Sequence, residues 1–548
     1  MYGFSISKAG ILTNNYYKQL GYYEKPEPQG VYVMIRKNGN EIIINQDFYG
    51  SFGLYIYENK ENNYFVFSNS FLYLEKYLIG KHNISFNKEF ADNLIISSLY
   101  SYSINETMIK EIKQLPRNIY IIINIQKKSF KLKDIDYKEN TIPLESKEGI
   151  KIIDQWVDKW GYIFRSLKKK TGMISCDLSG GFDTRTVFSI LLNSGLDLNE
   201  ILIKSAKDKK YVHAEDFNIA GNISSKIGFK LNNLHFNNNE TKLSLRDSLS
   251  CTMYSKLGFH KEFYLKKNFF NNPIFSITGN GGEDLRGSPG YRISNYIEKV
   301  SSRNIPGHII EFYNSSKALI GRSIDYLKQK KNYSNDYEIS YDLYSRIVGR
   351  NHFGRSALEA FLVNNYIIQP LMDPDIKRIK YDIIDESPHD LIAFIYIRFA
   401  KDLLHFPFQG NRTLNSESIR KGKNLNDKLI PYIIKSDYNK NFFIDIKRKY
   451  PTYKTKDNKK VEEILNEIFK SNEFFRIIKK TYDEKLYYWS KDYSKKTNYH
   501  PLKHENALLS IVITAELISL NKRDISNRQN IGNNKNELKI LNYIILKK

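Results

Sequence analysis

The hydrophobic positions fall into three regimes along the chain. Over the first 140 residues they come as short runs separated by turn residues. Runs at 31–35 and 42–44 flank Asn38-Gly39, two residues that tolerate positive φ, and predict a hairpin. Runs at 54–57 and 64–67 predict a second hairpin across 58–63, and 119–125 predicts another strand after the Leu115-Pro116 turn. Segments 74–78 and 88–99 have helical character, so the region reads as β-rich with a few helices.

The middle of the chain changes period. Ile150, Ile153, Trp156, Val157, Trp160 and Phe164 recur at helical spacing and predict a helix over 149–167. Strands are predicted at 172–178, 200–206 and 273–278, with helices at 184–193 and 215–227, the latter ending at Gly228. Alternating strands and helices predict a parallel, doubly wound sheet. Beyond 340 the pattern is mainly helical, at 341–366, 390–404, 461–488 and 506–521, with lysine-rich turns between. Residues 527–536 read as an asparagine-rich linker, and the apolar end at 538–546 is expected to dock on the body.

Composition narrows the class. A chain of 548 residues exceeds one ordinary core, and 41% apolar residues suffice for two or three. Cys176 and Cys251 are the only cysteines, which excludes a disulfide scaffold and a cysteine-cluster metal site. The start lacks a signal-peptide pattern, and the longest apolar stretch, 507–520, is too short to span a bilayer and contains Glu516. A cytoplasmic protein without a membrane span is expected. The net charge is +24, of which +13 lies in residues 421–548. Such an excess points to an anionic partner or to A/T-rich codon bias; the second predicts lysines scattered over exposed helix faces.

Candidate chemistry sits in three segments. In the first, a strand ends at Leu178 and is followed by Ser179-Gly180-Gly181-Phe182-Asp183-Thr184-Arg185. Two glycines permit a sharp turn and close ligand approach, and the following helix start presents N–H groups to an anion such as pyrophosphate. Ser179 adds a donor. Asp183 fits there if Mg²⁺ lies between it and phosphate; otherwise it caps the helix. In the second, Thr278-Gly279-Asn280-Gly281-Gly282-Glu283-Asp284 also follows a strand. The two loops can share one metal between Asp183 and Glu283, whose carboxylates are then expected within about 8 Å. The third, Pro370-Leu371-Met372-Asp373, reads as a proline turn with Asp373 as a cap.

Taken in this order, the three segments resemble the asparagine synthetase superfamily, which includes β-lactam synthetases and lasso-peptide cyclases. Ser179–Thr184 is similar to its pyrophosphate loop, 278–287 to its second glycine loop, and 370–373 to its Pro-Phe-Leu-Asp turn. Glu215-Asp216, Ala220 and Gly228 resemble its Asp-Glu-x-x-x-Ala helix. Asp47-Phe48-Tyr49-Gly50, Tyr55, Phe67-Ser68-Asn69, Thr107 and 111–116 resemble its glutaminase sandwich. The likeness implies a degenerate N-terminal α+β sandwich of Ntn-hydrolase type (1–145), an α/β pyrophosphate-loop domain (146–430) and a basic helical extension (431–548). It implies ATP and Mg²⁺, with Asp183 and Glu283 as metal ligands. Leu178, Ser179, Gly180, Gly181, Asp183, Thr184, Ser205 and Gly279 would line the nucleotide site, and Asp183, Glu283 and Asn280 the catalytic centre. Arg185 is open between a pyrophosphate or acidic-substrate contact and a surface helix arginine. Lys421 and Lys423 are candidates for a phosphate-binding lysine on a late loop, or belong to a solvated basic turn.

Two positions depart from the family. Tyr2 stands where its glutaminase has a cysteine, and a phenol does not replace a thiolate. Asn280 stands where it has a glutamate, and an amide is no general base. The implied activity is ATP-dependent amide formation on a small-molecule, sugar or peptide carboxylate with ammonia or an amine, in a surface-polysaccharide or natural-product pathway, by a chain compatible with a homodimer. The alternatives are a catalytically impaired nucleotide-binding scaffold and an RNA-modifying adenylating enzyme. The last has no nucleic-acid module to support it.

Overall fold

The computed structural model describes residues 1–20, 28–61, 64–79, 82–97, 103–117, 119–134, 142–207, 211–233, 273–282, 285, 310–333, 336–362, 364–380, 389–444 and 514. Cys251, Glu283 and Asp284 lie outside these residues. So do the helices expected at 461–488 and 506–521 (Thr514 excepted), the linker and the apolar end.

The first 134 residues carry β1 (Tyr2–Ser7), β2 (Gly10–Leu12), α1 (Asn14–Gln19), β3 (Gly30–Asn38), β4 (Glu41–Gln46), β5 (Tyr55–Asn59), β6 (Tyr64–Ser68), α2 (Phe71–Leu78), α3 (Lys88–Ser97), β7 (Ile112–Gln114), β8 (Ile119–Asn124) and β9 (Ser129–Asp134). One antiparallel sheet has the order β2-β1-β3-β4-β8-β9 and another the order β6-β5-β7. The expected hairpin turns at Gly39, whose φ is 57°, and its register pairs Asn38 with Glu41 and Ile35 with Ile44. Alternation puts Ile44 and Ile121 of the larger sheet against Leu54, Ile56 and Leu115 beside the smaller one, closing an apolar layer between them. The sequence reading missed β1, β2, β7 and β9.

The chain then enters an α/β unit. It comprises β10 (Ile142–Pro143), α4 (Lys147–Thr171), β11 (Ser175–Asp177), α5 (Phe182–Leu192), β12 (Leu202–Ser205), α6 (Tyr211–Ile227), β13 (Asn232–Asn233) and β14 (Ile274–Ile277). The Ser146 hydroxyl caps the start of α4 by accepting from Gly149 N (2.9 Å), and Gly172 ends it at φ 76°. Lys168, Lys169 and Lys170 face its negative dipole end. Its predicted stripe, Ile153 to Phe164, is buried in the main core. Each such large side chain contributes roughly 1.5–3 kcal/mol.

Beyond 310 the described chain forms α7 (Ile310–Lys330), α8 (Asp336–Val348), α9 (Arg355–Leu362), β15 (Asn365–Ile368), β16 (Ile379–Lys380), α10 (Asp390–Phe399), α11 (Ser416–Asn426) and β17 (Phe443–Ile444). Strands β13-β12-β11-β14-β15 make one parallel sheet. The single helix expected at 341–366 is corrected here. It breaks into α8, a π-helical stretch Gly349–Gly354 and α9, and then turns at Asn364 (φ 65°) into the edge strand β15. A Cβ on Gly349 would fall 2.7 Å from the Tyr49 ring, and one on Gly354 would fall 2.6 Å from Ser51 Oγ. Both glycines therefore admit the turn of the N-terminal domain at this stretch. The helix expected at 390–404 is α10 followed by a 3-10 turn, Lys401–His405. β17 pairs with β2 and extends the first sheet. Among the described residues, no helix is long and apolar enough to cross a membrane.

Buried arginines fasten the N-terminal sheets to the helical region. Arg350 donates to Leu115 O (3.2 Å) and Ile104 O (2.9 Å), and Arg355 to Phe52 O (3.0 Å) and the Tyr55 hydroxyl (2.7 Å). Arg117 Nη2 pairs with Asp342 Oδ1 at 3.2 Å, Arg346 Nε donates to the same oxygen (2.9 Å), and the Tyr333 hydroxyl donates to Oδ2 (2.6 Å). Burial raises the Asp342 carboxyl, but Arg346 and Arg117 with these donors outweigh it and hold the pKa at about 2.

A carboxyl depressed in the fold contributes stability that is complete above its unfolded pKa of ~3.9 and is lost as pH falls towards its folded value. Urea titrations should therefore show Asp342-dependent loss between about pH 4 and pH 2. Asp342→Asn should cost ~3 kcal/mol at neutral pH, by leaving the buried Arg117 and the partly buried Arg346 short of a carboxylate. A neutral effect would remove this cluster from the fold's supports.

Candidate functional site

The order of the parallel sheet creates a crevice. β11 is its middle strand; β12 and β13 lie on one side, β14 and β15 on the other. Chains leaving the carboxyl ends of β11 and β14 therefore diverge, the arrangement in which open α/β sheets bind ligands. Both predicted glycine loops start there. The first follows β11 through Leu178, and the second follows β14 through Thr278.

The first loop is held by its own donors. Ser179 N donates to Thr184 Oγ1 (3.1 Å), the Ser179 and Thr184 hydroxyls lie 2.8 Å apart, and Gly181 N donates to Ser179 Oγ (3.1 Å). α5 starts at Phe182, two residues before the predicted Thr184. Its N-cap is Gly181, with no side-chain cap, and Asp183 lies in the first turn. Asp183 is therefore not the helix cap, and its carboxylate sits at the positive dipole end.

The second loop packs onto that helix start through its glycines. A Cβ on Gly279 would fall 2.6 Å from Thr184 N, and one on Gly282 would fall 2.2 Å from Asp183 Cγ. Gly281, at φ 89°, would place a Cβ 2.4 Å from Met372 Cγ, so the proline turn is the third wall. The three predicted segments thus meet. Asn280 is half-buried in the tight turn, and Glu283 lies outside the described residues, so of the expected metal pair only Asp183 has a described place. Among the described residues, no group of three His, Cys, Asp or Glu side chains converges.

Two buried hydroxyls sit at the same sheet edge. Ser205 ends β12 and is 1% exposed; Thr278 follows β14 and is 7% exposed. Neither hydroxyl has a hydrogen-bond partner among the described residues. A buried hydroxyl without a partner costs about 1–3 kcal/mol, which a polar ligand would offset. Asp373 has the structural role read from the sequence. Fully buried, it accepts from Trp160 Nε1 (2.9 Å) and Asp375 N (3.0 Å) and pairs with Lys159 (2.9 Å).

A strap, residues 406–412, was not foreseen, although Pro407 and Gly410 punctuate it. Gln409 N donates to Gly180 O (3.0 Å), and Gly410 N to Glu215 Oε1 (2.9 Å). Arg185 corrects both sequence readings. It is fully buried, lies 4.1 Å from the Phe408 ring centroid and donates to the carbonyls of Phe406, Pro407 and Gly180. Burial lowers its pKa to about 10, still charged at neutral pH. It anchors the strap and is committed to these carbonyls. Lys421 and Lys423 lie on α11 rather than a loop, and Lys421 Nζ is 3.3 Å from Asp390.

The N-terminal residues singled out above have structural partners. Asp47 accepts from Tyr32 N, Tyr49 N, Ser51 N and Ser51 Oγ. Thr107 Oγ1 lies 2.8 Å from both Ile109 O and Ile112 O, which share its one proton. The half-exposed Tyr2 ring packs edge-on against Phe52 (5.2 Å) and Phe361 (6.3 Å). Cys176 is buried inside β11, where burial pushes its thiol pKa up. That removes it as a nucleophile.

Neither a known protein family nor a curated protein matches this chain in sequence.

The close approach of the loops has a paired test. Gly279→Ala should cost ~1–3 kcal/mol in chemical denaturation, because the methyl meets backbone. Gly221→Ala, inside α6 with nothing within 4 Å of the place its methyl would take, should instead stabilise by up to ~1 kcal/mol. Equal effects would show that the loops are not in contact.

Proposed function

We propose that the chain is an ATP-dependent, amide-forming ligase of the asparagine-synthetase type. One observation carries this reading: two glycine loops at the switch in strand order close on one helix start, beside two buried hydroxyls that lack partners among the described residues. The substrate carboxylate is activated by adenylation with release of pyrophosphate; transfer to ammonia or an amine then releases AMP. Ser179, Gly180, Gly181 and Thr184, at the dipole end of α5, bind the pyrophosphate, and Leu178, Ser205 and Gly279 line the nucleotide pocket. Asp183 and Glu283 would hold Mg²⁺, whose charge offsets that of the leaving pyrophosphate. Asn280 orients the amine through its amide and takes no proton, so that proton passes to solvent.

Asn280 also supports a second reading, a nucleotide-binding paralogue that stops short of amide formation. Exchange of labelled pyrophosphate into ATP, dependent on an added carboxylate, separates the two. We expect exchange by the wild-type chain and its loss, by more than about a hundredfold, in Asp183→Asn with the fold retained. Binding of ATP without exchange would leave the paralogue reading.

The N-terminal sandwich supplies no nitrogen in this proposal, because Tyr2 offers a phenol where glutamine hydrolysis needs a thiolate. The purified chain should release no glutamate from glutamine and should use free ammonium or a primary amine. Steady glutamate release by the isolated chain would contradict this assignment.

A further inference from the structure

The carboxylate of Asp216 occupies a donor of the pyrophosphate loop. Gly180 N–H donates to Asp216 Oδ1 at 2.7 Å, a short, charge-assisted hydrogen bond. The contact requires glycine: a Cβ on Gly180 would fall 2.7 Å from Ile219 Cδ1, 3.0 Å from Asp216 Oδ1 and 3.1 Å from Gln409 Cβ. α6 and the strap therefore press on Gly180 from two sides. Its carbonyl is taken by Gln409 N and Arg185, and its N–H by a carboxylate. Among the described residues, the titratable and charged groups that act on Asp216 are Glu215, Arg412, Arg185 and the His213 imidazole.

We infer that Asp216 is a built-in competitor for pyrophosphate: it holds Gly180 N–H, gives it up when the anion enters and reclaims it as the anion leaves. The inference rests on the ligase reading above. Its physical basis is simple. One N–H serves one strong acceptor, and a carboxylate beside a bound pyrophosphate adds like-charge repulsion. The loop is thereby kept from binding its own product tightly, and pyrophosphate release is favoured. Asp216 acts through the Gly180 peptide, so it is a positioning residue.

Asp216→Asn keeps an oxygen that accepts from Gly180 N–H and removes the charge. Calorimetry with Mg²⁺-pyrophosphate should show binding roughly tenfold tighter than wild type, the scale of one charge-assisted hydrogen bond. In the exchange assay, KM for pyrophosphate should fall and kcat should fall with it, because release slows. A merely structural role predicts weaker or unchanged binding. Asp216→Ala, which removes both charge and acceptor, should also bind more tightly than wild type, and it serves as the second variant if the first is poorly folded. Glu215→Gln removes a neighbouring charge that fastens the strap through Gly410, and it should tighten binding less. Unchanged or weaker pyrophosphate binding in both Asp216 variants overturns the inference while the ligase reading stands. Equal tightening by Glu215→Gln also overturns it, since the effect is then general charge. Failure of wild type and variants alike to bind pyrophosphate overturns the ligase reading and this inference together.

Discussion

No side chain fits between the second glycine loop and the first turn of α5. Gly279 lies against the backbone of Thr184 and Gly282 against the Asp183 carboxyl, at separations that any Cβ would violate. This closeness sets the site. It brings the ends of β11 and β14 together, puts Asn280 in a tight turn over the crevice and lets Met372 wall the far side. Only backbone approaching backbone leaves room for N–H groups to face a ligand directly.

Around that contact, buried guanidiniums meet carbonyls or carboxylates. Arg185 fills three backbone carbonyls and thereby ties the strap to α5. Arg350, Arg355 and Arg117 do the same between the N-terminal sheets and the helical region. An isolated buried guanidinium would be costly, so each one specifies where its partner segment must lie. Tyr2 extends the joint by packing its ring on Phe361. The N-terminal sheets are thus bound to the α/β unit as part of its packing.

Elements with strong periodicity were legible. The stripe Ile153 to Phe164 became α4, the Asn38-Gly39 turn became the β3–β4 hairpin, and Gly228 ends α6 at φ 91°. The three glycine- and proline-rich segments were legible as loops because few residues take such backbone. What failed were elements whose identity depends on a neighbour. The helical pattern before it predicts a helix end at Tyr366 to Ile368, although these residues favour strands, and they pair as a strand along the edge of β14. The two-residue β17 exists only through its pairing with β2. Phe130 and Leu132 alternate as a strand should, and that signal was available.

The sequence by itself determined the alternation of strands and helices, the positions where the chain can turn sharply and the residue types at the loops. Those are local properties, set by backbone sterics and side-chain period. Tertiary structure alone decided which groups are already engaged. Arg185, on a helix beside the loop, has the charge to bind phosphate, but burial commits it to carbonyls of a segment more than two hundred residues away. Asp216 reads as one acidic residue on a helix, and only the packing of α6 on Gly180 gives it the loop's N–H. Hydrogen bonds between distant segments depend on distance in space, which no spacing along the chain encodes.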